Sequence, residues 1–565
     1  MSTEPRLKVV LCWHMHQPEY RSLVDGTYQL PWVYLHAIKD YIDMASIIEA
    51  TPGARAVVNF VPILLDQIED YASQISAHLR DRSPIRDPLL AALAAAQPPA
   101  GAEQRLALVR ACLRANERRI IDRFPPYRRL ADLARRIDQD PSELAYYSDQ
   151  FLCDLVTWYH LAWLGETVRR EDAHVRQLMM KASGYSFEDR RLLLSIVGQI
   201  MGSVIARYRR LAESGKIELS VTPYAHPMLP LLIDFNVARE AVPDMPLPEA
   251  PAYPGGRERA LWHVQEGIAG FERYFGFRPR GCWPAEGGLS TETAALLAEA
   301  GFRWTATGGS VLHNSLTRSG RDTGNGAMHR VYRVSDIACF FRDDGLSDLI
   351  GFTYYDWHGD DAVANLVHHL ENIAAAHPGD DQLVVPIILD GENAWESYPE
   401  NGYHFITALY QRLAAHPRIE LTTFSDCLDR GVVPIDLEQL VAGSWVYGTF
   451  STWMGDEDKN RGWNLLCQAK EAWDRVMAAG TLDDEHRELA LRQLAACEGS
   501  DWCWWFGDYN PASSVSDFER LYRLHLSNLH RFLGLEPPEN LLQVISTGGG
   551  LAEQGGTMRR GVAEG

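Results

Sequence analysis

The chain has 565 residues, of which 46% are hydrophobic, 10% aromatic and 23% charged, the profile of a packed globular protein rather than a disordered or fibrous one. Its 54 Lys and Arg stand against 75 Asp and Glu, a net charge of −21, which disfavours nucleic acid or an anionic membrane as the main partner because either would repel it. A neutral ligand meets no such objection.

In chain order, the polar start and the apolar run Leu7–Trp13 do not make a secretory leader, and no stretch of about 18 apolar residues is available to span a membrane. Short runs rich in β-branched and apolar residues then recur at Ala54–Phe60, Lys216–Val221, Arg280–Trp283, Phe302–Thr307, Ile337–Phe341, Leu383–Leu389 and Ile419–Thr423. Residues 78–215, rich in Arg, Ala and Leu, read as a long helical insertion between the second and third runs. Ser290 caps a helix that Gly301 ends. Residues 314–330 are polar and glycine-containing and read as a mobile loop. Asp361–His377 sets Val363, Leu366, Val367, Leu370 and Ile373 on one helical face and stops at Pro378-Gly379. After about residue 430 the strand signal disappears, and Trp-rich helical sequence runs on to about 535. The glycine-rich stretch 546–565 reads as a disordered tail. Nine scattered cysteines, odd in number and without a CxxC pair, read as free thiols in a reducing compartment, which makes the cytoplasm the expected location.

Strand–helix alternation of this kind predicts a parallel α/β sheet, open or closed. His14 and His16, Tyr224 and His226, Trp283 and Glu286, and Asp390 and Glu392 all fall at or just after strand ends. In a barrel such positions converge on the C-terminal rim, whereas an open sheet would gather them at one switch point. Contributions from four separate strands favour the barrel.

Within Gly281-Cys282-Trp283-Pro284-Ala285-Glu286, a carboxylate follows a strand beside an indole. It reads either as a nucleophile or general acid, or as a helix N-terminal Glu. In Asp390-Gly391-Glu392 an apolar strand delivers two carboxylates into a Gly turn; their repulsion suits one to hold a proton near neutrality, unless this is only a strand-end turn. Carboxylates from two strands meet the needs of glycoside hydrolysis, and the 16 Trp offer faces for sugar rings. The tract Asp501-Trp502-Cys503-Trp504-Trp505 mixes both. His14 and His16, alternating on one strand, point the same way and could bind a metal completed by His226, Asp390 or Glu286, or hydrogen-bond a substrate.

Together these motifs resemble glycoside hydrolase family 57. The resemblance runs from Leu7 to about Leu535 and rests on His14-Met15-His16-Gln17-Pro18, Thr222-Pro223-Tyr224-Ala225-His226-Pro227, the Glu286 and Asp390 motifs, and Ser500–Asp508. It implies a (β/α)7 barrel over residues 1–430, with a helical domain over 431–540 completing the cleft. It also implies a retaining mechanism with Glu286 as nucleophile and Asp390 as general acid/base, and no metal or cofactor for the chemistry. His14, His16, Gln17 and His226 would bind sugar hydroxyls. Trp283, Trp395 and Trp505 would frame the cleft, with Glu392 and Asp501 as further acidic contacts. The implied partner is an α-glucan or malto-oligosaccharide, not nucleic acid or a membrane. An α-amylase-like hydrolase is the expected activity, with 4-α-glucanotransferase as the alternative and branching enzyme behind it. A zinc-dependent glycosidase would want a carboxylate where Pro18 stands, and a non-catalytic glucan binder would not need both acids.

Overall fold

The computed structural model describes residues 6–550 and 558–561. Ten strands form one sheet: β1 (Leu7–Met15), β2 (Ala56–Phe60), β3 (Ile217–Val221), β4 (Gly281–Cys282), β5 (Trp304–Thr307), β6 (Tyr332–Val334), β7 (Ile337–Phe341), β8 (Val384–Asp390), β9 (Ile419–Leu421) and β10 (Ile435–Asp436). Seven of them, in the order β7-β5-β4-β3-β2-β1-β8, are parallel and curl into the barrel wall. β2 and β7 are buried at every position, as expected where helices and interior cover both faces of a parallel sheet.

Eight strand runs were expected from the sequence and the barrel uses seven. The extra one is β9, which pairs with the start of β1 (Leu7↔Ile419, Val9↔Leu421) below the stretch Cys12–Met15 that β2 takes. The seam between β7 and β8 carries no strand ladder. It is spanned instead by Asp343 N–H to Pro386 O (2.8 Å), Arg342 Nε to Ile388 O (2.8 Å) and Ile388 N–H to Ser347 Oγ (3.2 Å). Pro386 is tolerated inside β8 because its missing N–H falls on this unpaired edge.

Between β2 and β3 the chain runs through helices from Pro62–Asp81 to Phe187–Glu213, the first and last packed on each other. After β10, the helices Glu457–Ala479, Asp484–Cys497, Asp501–Trp505 and Ala512–Phe532 pack together against the barrel's C-terminal rim. Two local expectations fail. Residues 314–330, expected as a loop, include the end of helix Gly309–Arg318 and the short helix Asn325–Met328. The strand signal also does not end at 430, because exposed β10 pairs with β6, which hairpins onto β7. Of the expected tail, 546–550 lies against Asn510, whose carbonyl accepts from Gly549 and Gly550, and 558–561 reaches the barrel rim; the remainder lies outside the described residues. All nine cysteines are buried and free. Among the described residues no helix is long and apolar enough to cross a membrane.

Candidate active site

One pocket, with a cavity volume of about 110 Å³, opens at the C-terminal ends of the strands. His14 and His16 enter it from the end of β1, His226 from the turn after β3, Glu286 from the turn after β4, and Asp390 and Glu392 from the end of β8. Gln17, Asp501 and Trp505 also line it. Tertiary folding thus gathers nine of the eleven residues singled out from the sequence. Trp283 and Trp395 are the exceptions. Both are buried behind the wall: Trp283 packs edge-on against Trp445 (5.2 Å) under His14, and Trp395 against Trp13 (5.6 Å). Strand-end indoles in this fold fill the rim's interior, so they support the pocket without facing it.

Glu286 sits in a left-handed backbone conformation (φ 58°, ψ 20°), unusual and costly for a residue with a Cβ. Three hydrogen bonds pin it: Gly287 N–H to Pro284 O (2.9 Å), Gly288 N–H to Ala285 O (2.8 Å), and Trp445 N–H to Glu286 O (3.0 Å). The Trp445 indole N–H then donates to Glu286 Oε2 (3.0 Å). His226 is held likewise at φ 58°, with Ser500 N–H donating to its carbonyl (2.9 Å). Two pocket residues on the barrel are therefore fixed in strained conformations by the C-terminal part of the chain.

The histidines form a relay. His14 Nδ1 meets Asn59 Oδ1 (2.7 Å), so its proton is on Nδ1. Its Nε2 then accepts from His226 Nε2 (3.0 Å), and His226 Nδ1 accepts from Ser500 Oγ (2.8 Å). Burial first, then the neighbouring His16, pushes the His14 imidazole down to about 3, and burial drives His226 well below the usual histidine range. Both stay neutral, as this pattern requires. His16 stacks on His226 (3.7 Å) and its Nε2 meets Asp501 Oδ1 (2.8 Å), while His16 Nδ1 and Asp501 Oδ2 are buried without a partner. Such orphans are what hydroxyl-rich ligands satisfy. His16, His226 and Asp501 are close enough to hold a metal, their ligand atoms lying within 4.8 Å, but His226 Nε2 could do so only by giving up His14.

Burial also raises the carboxyls. It pushes Glu286 up to about 8, helped by the charges of Asp390 and Asp501 and opposed by the bond from Trp445. It raises Asp390 to about 6 against Asn393 Nδ2 (2.9 Å to Oδ2), His16 and Arg342. Glu392 is driven well above the carboxylate range by burial, then by Asp390 and Asp40. Its Oε1 accepts from Gln17 Nε2 (3.2 Å) and His16 N–H (3.3 Å), and its buried Oε2 has no partner. The sequence predicts that the repulsion between Asp390 and Glu392, with burial, leaves one of them protonated near neutrality. In the structure burial is the first cause for both, and Glu392 is the more strongly raised of the two.

Sequence reasoning missed Asn59, Arg342, Asn393 and Trp445. Asn59 had a signal, a lone amide in the apolar strand β2. Arg342 also had one, a cation directly after apolar β7. Trp445 had none, since nothing near it in sequence points at the pocket.

In fold, the chain is similar to a branching enzyme from Thermococcus kodakaraensis (16% identity, TM-score 0.57, covering 93% of this chain and 90% of that one). It is also similar to a branching enzyme from Pyrococcus horikoshii (15%, 0.56, 94% and 98%) and to an α-amylase from Thermotoga maritima (14%, 0.55, 94% and 93%). The sequence model of glycosyl hydrolase family 57 matches residues 10–437, spanning the pocket residues from His14 to Glu392. The chain belongs to glycosyl hydrolase family 57.

Proposed function

We propose that the protein is a retaining glycoside hydrolase that cleaves α-1,4-glucosidic bonds in glycogen, starch or maltodextrin through a glycosyl-enzyme intermediate. The observation that carries this reading is the meeting of Glu286 and Asp390, from different strands, in one buried pocket walled by Trp445, Trp504 and Trp505. Asp390, raised by burial, gives its proton to the glycosidic oxygen. Glu286, pinned at its strained turn, attacks the anomeric carbon and forms the covalent intermediate. Asp390 then takes a proton from water, which releases the sugar with its α configuration retained. In the empty pocket Glu286 holds a proton more tightly than Asp390. A bound ring reverses this, because its hydroxyls donate to Glu286 and the positive charge developing at the anomeric carbon favours the Glu286 anion. The His14–His226 pair, its ring nitrogens already bonded, fixes the wall beneath His16, and the His16–Asp501 pair offers its unpartnered Nδ1 and Oδ2 to the hydroxyls. The buried free thiols are compatible with the reducing cytoplasm, where we place the enzyme.

A product time course on maltoheptaose tests this. Wild type is expected to release only shorter chains, and Glu286→Ala to lose activity by a factor of a thousand or more, on the order of nucleophile removal in other hydrolases. Chains longer than maltoheptaose would instead identify a 4-α-glucanotransferase. Equal behaviour of wild type and Glu286→Ala would remove Glu286 as nucleophile.

A further inference from the structure

Near its C-terminus the chain returns to the pocket. Met558 and Arg559 line the same space as His14, Glu286 and Asp390. The segment is fastened at Gly561, whose carbonyl accepts from Ser310 Oγ (3.1 Å) and Tyr447 N–H (3.0 Å) and whose N–H donates to Asp348 Oδ2 (2.9 Å). Asp348 and Asp344 both bind Arg342, the cation that spans the β7–β8 seam. A Cβ at residue 561 would lie 2.5 Å from Arg342 Nη1 and 2.9 Å from Asp344 Cγ, so the dock is shaped to bare backbone.

From this anchor Arg559 lies over two aromatic rings, with its guanidinium carbon 3.9 Å from the Tyr509 centroid and 4.8 Å from that of Trp504. Lys459 Nζ donates to the Tyr509 hydroxyl and to the carbonyls of Cys503 (2.6 Å) and Phe506 (2.8 Å), which fixes this aromatic corner. Trp504 is itself part of the pocket wall and is 7% exposed. A ring face that holds a guanidinium cannot also stack the C–H face of a sugar. Arg559 Nη2 is buried without a partner, leaving a donor at this end of the pocket.

We propose that Met558–Gly561 forms part of the substrate pocket and that Arg559 is a specificity-determining residue, which covers the Trp504–Tyr509 surface and so limits how many sugar rings the pocket accepts. This rests on reading the pocket as a glucan site. Arg559 caps one end with a planar cation and presents Nη2 to a terminal hydroxyl. A chain long enough to need the covered surface must displace a cation–π contact worth about 0.5–2 kcal/mol, or roughly two- to thirtyfold in affinity.

The test compares wild type, full-length Arg559→Ala, and a chain ending at residue 550. Each is titrated with maltotriose and with maltoheptaose by tryptophan fluorescence, and each is incubated with maltoheptaose for product analysis. In both variants the affinity ratio of maltoheptaose to maltotriose is expected to rise about two- to thirtyfold over wild type, and the product lengths to shift. An unchanged ratio with unchanged products in the two variants overturns the proposal. So does an equal weakening for both sugars, which would make the segment a mere support. Wild type that binds neither sugar overturns the glucan reading itself, and that outcome is recognised without either variant.

Discussion

At the scale of single residues, Glu286 joins two costs, a left-handed backbone and a buried carboxyl, and both are borne because the residue must face the pocket. Its pKa makes two predictions. With Asp390 near 6 and Glu286 near 8, the pair carries one proton between those values, on Glu286 in the empty pocket and on Asp390 once a bound ring has reversed the order, which is the form that can both donate and attack. A plot of kcat/KM against pH is therefore expected to be bell-shaped, with limbs near pH 6 and pH 8; Asp390→Asn should lower kcat by about 10²- to 10⁴-fold. The second prediction concerns stability. The folded chain keeps the Glu286 proton up to about pH 8, whereas an ordinary Glu loses it near 4.5. Between those values the folded state binds more protons, so stability falls as pH rises. Glu286→Gln escapes this, and its advantage over wild type should grow by about 3–4 kcal/mol between pH 5 and pH 8, read from urea unfolding at each pH.

At the scale of elements, β8 is the strand on which the site depends. It is laddered to β1 on one side only, and Gly391 N–H continues that ladder to His14 O (2.7 Å). Gly391 lies so close to buried Met15 of β1 that an added Cβ would run into its sulfur. Gly391→Ala is expected to cost about 1–3 kcal/mol through overpacking and to move Asp390 away from Glu286, lowering kcat more than it raises KM. Steady-state kinetics beside thermal melts would check this; a variant with wild-type kinetics would show that β8 takes its place from the seam rather than from β1.

At the scale of the whole molecule, the barrel and the C-terminal helices build one site. Leu289 pairs with Gly443 and Pro227 with Gly499, so the loops after β4 and β3 are each bridged to the later chain. Behind the second bridge, buried Glu498 accepts from Arg259 Nε (2.8 Å) and Nη2 (2.6 Å), Tyr253 (2.5 Å) and His263 (2.7 Å). The Arg259 charge holds its carboxyl far below the usual range against the cost of burial. Glu498→Ala leaves Arg259 buried and unpaired, and should destabilise by about 3–5 kcal/mol while loosening Ser500 and Asp501. The wild-type advantage should be full at neutral pH and shrink as the pH falls through the ordinary carboxylate range, because the unfolded carboxyl is protonated first. Melting curves of both proteins at pH 7 and pH 4 test the sign.

What the sequence determined by itself was whatever depends on local order. The apolar runs named the seven barrel strands, because a strand covered on both faces must be apolar throughout. The Ser290 cap and the Pro378-Gly379 stop set helix ends within a residue or two. The strand-end positions named most of the pocket, because in this architecture strand ends converge. Tertiary structure decided what depends on long-range neighbours. Only folding puts Trp445 on Glu286 across 159 residues, turns Trp283 and Trp395 inward, and sends β9 to the foot of β1. The proton order among Glu286, Asp390 and Glu392 belongs here too, since burial and the charges opposite set a carboxyl's affinity for its proton. So does the return of Arg559 to the pocket, which a glycine-rich composition gives no reason to expect.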